Sequence, residues 1–152
     1  MHIGNYLALA ASSEQQLAEA FDKVIAQHGD EPDVLRTCGL LASWSREHRQ
    51  TLQKFVDRYA DQKGDEPERL SQTLFVEART GSLALLRDLH DLWLLASEVQ
   101  LCWTIISQAA AALMDKELAQ TCHDLSAETK RQLTWLLTRI KSEAPQTLVA
   151  AD

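Results

Sequence analysis

Glycine and proline are scarce in this chain, five and three among 152 residues, and that scarcity excludes any fold built on frequent turns. Strand formers never alternate with polar residues over a useful length, which removes a half-buried sheet as well. Ala, Leu, Gln, Glu, Arg and Lys dominate instead, and these are helix formers. The class is all-α, one domain over residues 1–152. Cysteine is thin too. Cys38, Cys102 and Cys122 are odd in number, sit in apolar helical stretches and lack Cys-x-x-Cys spacing, so they read as reduced core residues of a cytoplasmic protein and not as a zinc or redox site. A cationic stripe is missing. The net charge is −7 with both signs interleaved, which argues against a nucleic-acid partner.

A basic region followed by an apolar one is absent near Met1, so no signal peptide is expected. Leu92 to Met114 is long and apolar enough to raise the question of a membrane span. It holds Glu98, Ser97, Gln100, Thr104, Ser107 and Gln108 and lacks flanking basic anchors, so it reads as a buried bundle helix with no membrane partner. Catalysis has little to rest on, because no Ser or Cys stands with a His and an acid at a recognisable spacing.

What is present is punctuation. Gly-Asp-Glu-Pro occurs at Gly29 to Pro32 and again at Gly64 to Pro67. Each copy is expected to stop one helix on a left-handed Gly, cap the next with Asp and start it on Pro. Long helices are predicted over 3–28, 32–63, 82–114 and 116–143, with a short helix at 67–79 in the crossover and an apolar tail at 145–152. The first stripe reads Leu7, Ala10, Glu14, Leu17, Phe21 and Val24, and the second reads Val34, Cys38, Leu41, Ser45, His48, Leu52 and Phe55. Ser12 or Ser13 offers a later start for the first helix, which would leave Glu14 in its first turn. The third helix is apolar almost all round, from Leu83 to Ile106. The fourth follows Leu118, Cys122, Leu125, Thr129, Leu133, Leu136 and Ile140 from a cap at Asp115.

Helix rise puts the polar interruptions at one level. Glu14 precedes the first turn by about sixteen residues, Ser45 and His48 follow it by as many, and Glu98 lies as deep in the third helix if the crossover runs the bundle's length, at ~24 Å from one end. On the fourth helix the matching depth falls at Thr129 to Gln132. His123 reaches it only if the last turn comes before Asp115.

Two hairpins of long helices joined by a crossover, with the segment Asp91-Leu92-Trp93-Leu94-Leu95-Ala96-Ser97-Glu98-Val99-Gln100 and the ending Thr138-Arg139-Ile140-Lys141-Ser142-Glu143-Ala144-Pro145-Gln146, resemble the ferritin-like superfamily. The closer likeness is to small bacterial bundles with a degenerate di-metal site. That resemblance implies a four-helix bundle in which Glu14, His48, Glu98 and His123 occupy ligand-like places for Fe, Mn or Zn, while Ser45, Gln120 and Arg131 depart from the pattern. The same residues have structural accounts: Glu98 beside Arg131 or a Trp N–H, His48 bonded to Ser45 or a carbonyl, and Glu14 at a helix start. The leading expectation is therefore a non-catalytic bundle with no cofactor, acting as a homodimer or by docking another protein. A metal-dependent redox or storage protein and a small-molecule binder walled by Trp44, Trp93, Trp103 and Trp135 are the alternatives.

Overall fold

A computed structural model describes residues 1–64 and 74–150, and among them lie four helices and a terminal turn. α1 is Ile3–Gln27, α2 is Pro32–Arg58, α3 is Ala84–Ala112 and α4 is Lys116–Pro145, followed by a π-helical turn at Gln146–Ala150. No strand occurs among the described residues, as the composition requires. No helix among them is long and apolar enough to cross a membrane.

The helix ends follow the punctuation only in part. Pro32 does open α2, yet no side chain caps either helix at this turn, Glu31 stands at the N-cap in place of Asp30, and Gly29 keeps an ordinary φ. The acids here serve a different bond: Glu31 and Asp33 both reach Arg139 near the end of α4, at 3.4 and 2.7 Å. α2 stops at Arg58, five residues short of expectation, because the chain after it folds back on α1. The Gly4 N–H donates to the Gln62 carbonyl at 3.0 Å, and the Asn5 side chain brackets Gly64 by giving and taking one hydrogen bond each. Gly4 permits that approach, since a Cβ there would lie 2.5 Å from the Tyr59 carbonyl oxygen. Gly64 is thus a clasp, while residues 65–67 of the second tetrapeptide lie outside the described residues.

The short crossover helix needs correction as well. Residues 67–73 are not described, and 74–79 are not helical; Phe75 has φ 62°, a left-handed conformation that an α-helix cannot contain. At the other extreme α4 outruns its expected stop at Glu143 and includes Pro145. The missing proline N–H breaks the regular ladder there, and the wider π turn takes over. Asp115 caps α4 as expected, accepting from the Leu118 N–H at 3.0 Å, after a left-handed Met114 at φ 56°.

Side-chain bonds fix the helix directions. His28 at the end of α1 meets Asp88 near the start of α3, and Arg58 at the end of α2 meets Asp115 at the start of α4. α1 and α4 therefore run one way and α2 and α3 the other, so the connection from Tyr59 to Leu83 joins opposite ends of the bundle. Each hairpin packs closely within itself and α1 packs closely on α3, whereas α2 and α4 approach each other sparsely. Leu7, Leu17, Phe21, Leu52, Phe55, Leu89, Leu92, Ile106, Leu118 and Leu136 are sealed in the shared core. Burial of such residues stabilises by roughly 1.5–3 kcal/mol each relative to exposure.

Candidate functional site

A polar layer crosses the middle of this apolar core. α1 starts early, so Glu14 falls in its fourth turn, turned inward and fully buried, with Ser13 beside it. α2 brings Ser45 and His48, three residues apart and both buried on one face. α4 contributes Glu128, Thr129 and Gln132, and α3 contributes Trp103.

His48 is the hub. Its Nε2 lies 3.1 Å from Glu128, and its Nδ1 lies 3.3 Å from Glu14 Oε2, near enough for an ion pair but off the hydrogen-bond axis. Trp103 meets the imidazole edge to face, with ring centroids 6.4 Å apart, and its own N–H donates to the Thr129 hydroxyl at 3.0 Å. Thr129 in turn donates to the Leu125 carbonyl. Gln132 donates to both the Leu41 carbonyl and Ser45 Oγ, at 2.9 and 3.0 Å. Trp103, Thr129, Gln132 and Ser45 are tied to one another or to the backbone by these bonds, whereas the Ser13 hydroxyl and both Glu14 oxygens are buried without a hydrogen bond.

The electrostatics follow from burial. Removal from water drives the Glu14 pKa above the ordinary carboxylate range, and the nearby His48 and Ser45 offset this only in part. Burial alone would lower the His48 pKa; Glu14 first and Glu128 second outweigh it, and the net shift is upward. The sealed Glu14 carboxyl thus faces an imidazole whose far side reaches Glu128, a residue 41% exposed at its side chain.

The four ligand-like residues separate into two groups. Glu14 and His48 come together as the helix-level argument requires. Glu98 is half-buried on the flank of α3, because Val99, Trp103 and Ile106 take the core side. His123 is exposed in the second turn of α4, since the last turn does come at Asp115. Arg131 is not turned inward either: it is exposed and stacks over Trp44 at 5.2 Å. Glu128, which takes their place in the layer, stands one position before the Thr129 to Gln132 depth that helix rise marks on the fourth helix.

These donors do not fit a metal. The imidazole stands between the two carboxylates with one ring nitrogen toward each, so the three cannot converge on a single ion, and no group of three or more His, Cys, Asp or Glu among the described residues is arranged to hold one. Nor is there an activated thiol: Cys38, Cys102 and Cys122 are buried and free, and burial pushes the Cys38 thiol up to about 12 and Cys122 to about 11. Comparison with known proteins returns no matching family model, no matching curated protein and no matching solved structure.

Proposed function

We propose that this chain is a ferritin-like bundle that works by self-association, without catalysis or a metal, and that a second copy docks along the outer face of α3. The observation that carries the reading is the unequal distribution of exposed apolar side chains. α3 is apolar nearly all round, and α1 and α4 cover only part of it; Leu94 and Leu101 remain 38% and 58% exposed on its outward stripe. Those two leucines lie seven residues apart on one face, with half-buried Ser97 and Glu98 to either side of the line between them.

A two-fold axis through the middle of that line lays a second α3 antiparallel on the first, and each Leu94 then meets the other copy's Leu101. The geometry is self-complementary by construction, which a closed dimer needs and a surface for an unrelated partner does not. The ferritin-like part of the reading is supported by the two antiparallel hairpins and by a connection that joins opposite ends of the bundle. Within it the polar layer is a structural remnant, its imidazole held by carboxylates where the superfamily holds metal.

Sedimentation velocity tests the reading. The wild-type protein is expected at twice its 17.1 kDa chain mass, and Leu101→Asp, which places a charge opposite Leu94 of the second copy, is expected at chain mass with unchanged helicity. Wild-type protein that stays monomeric at high concentration would remove self-association.

A further inference from the structure

A second apolar feature lies at the other end of α3, where α3, α4 and the terminal π turn enclose a groove of about 510 Å³. Leu83, Leu86, Trp93, Leu137, Ile140 and Leu148 form its walls, and Arg87 and His90 complete its lining among the described residues. That volume falls within the ordinary range for small-molecule sites. We propose that this groove binds the alkyl chain of a fatty acid, with the carboxylate held at the rim by Arg87 and His90.

Charge selects the occupant. In a chain of net charge −7, Arg46, Arg58, Arg79 and Arg139 are engaged by carboxylates; Arg87, like Arg36, Arg49 and Arg131, has no ion-pair partner among the described residues, and of those four it is the one that lines this apolar cleft. Among the described residues the other polar lining side chain is a second base, so the rim favours an anion over a cationic head. Arg also forms a planar fork that matches a carboxylate in two parallel bonds.

Shape narrows the choice further. The α3 wall from Leu83 to Trp93 is ~15 Å long at helical rise, about the extended length of a twelve-carbon chain and short for a docked helix of three or more turns. Leu148 reaches the groove from the π turn that follows Pro145, so the irregular end of α4 acquires a role as one lip of the cleft. Trp93 supplies a flat apolar wall and a built-in optical probe.

This inference does not rest on the α3 dimer, and the experiment separates them. Dodecanoate below its micellar concentration is titrated into wild type, Arg87→Glu, Trp93→Phe and Leu101→Asp, with binding read by calorimetry and by Trp fluorescence, and with 1-dodecanol as the ligand lacking a carboxylate. Wild type is expected to bind one dodecanoate per chain, dodecanol at least about tenfold more weakly, and Arg87→Glu about tenfold more weakly than wild type with unchanged helicity. Trp93→Phe should lose most of the fluorescence response, while Leu101→Asp should bind as wild type does. No saturable uptake, or equal affinity for the alcohol, would overturn the proposal. So would an Arg87→Glu variant that changes particle mass without dodecanoate binding in wild type, which would give the groove to a second copy, or association with anionic vesicles alone, which would give it to a lipid surface.

Discussion

The bundle is closed along two seams of opposite character. Where α1 meets α3 the helices pack closely through sealed apolar side chains; where α2 faces α4 they stand further apart and are bridged by a series of polar bonds. Along the second seam run Arg139 to Glu31 and Asp33, Gln132 to Ser45 and the Leu41 carbonyl, His48 to Glu128, and at the far end Lys54 and Arg58 to Glu117 and Tyr59 to Asp115. The difference teaches a division of labour. Apolar burial supplies stability without direction, whereas a ladder of polar bonds fixes which residue of α4 faces which residue of α2 and contributes little net energy.

If that division is right, the largest loss comes from the apolar side. Leu92→Ala, at a fully buried position of α3, should destabilise by about 2–5 kcal/mol in urea unfolding. Next comes His48→Ala, which leaves Glu14 buried without its partner and should cost about 3 kcal/mol. The double variant Glu14→Leu with His48→Leu should recover most of that loss, since two apolar side chains need no partner. A double variant as unstable as the single one would mean the layer supplies stability after all.

Smaller effects sharpen the contrast. Glu14 and His48 both have pKa values raised above their unfolded ones, so the folded chain holds these protons more tightly than the unfolded chain does. Their contribution is complete below the unfolded values and is lost as pH rises through the folded ones. Thermal unfolding should therefore shift downward between mildly acid and alkaline pH, and Glu14→Gln should flatten that slope. Asp115 works the other way. Its own burial opposes the shift, but bonds from Tyr59, the Leu118 N–H and Arg58 hold its pKa below the usual value, and its contribution disappears in strong acid. Thr129→Val strips the partner from the Trp103 N–H and should cost about 1 kcal/mol with a shifted fluorescence maximum. Arg139→Ala, at a partly solvated site, should cost about 1 kcal/mol or less, and less still in high salt.

The four helices and their order were legible in apolar spacing and in two tetrapeptides, because a stripe of Leu, Val and Phe at three- and four-residue steps has one helical solution. Their ends were less legible. Gly29 and Gly64 look like stops, yet what ends α2 is the contact of Gln62 and Gly64 with Gly4 and Asn5, a long-range event that no local pattern records. The middle layer was half legible. Helix rise alone brought Glu14 and His48 together; it did not decide which way Glu98 turned, because α3 around it is apolar on nearly every side and its sequence does not declare a core face. The same uniformity hid Glu128, whose place is set by packing of α3 against α4.

Native mass spectrometry of protein purified without chelators or added metal bears most directly on the central claim, that the carboxylate–imidazole layer is structural and the α3 face is where this chain does its work. The account predicts a particle of two chains whose mass is accounted for by polypeptide alone. A single chain carrying the added mass of one or two transition-metal ions would contradict it.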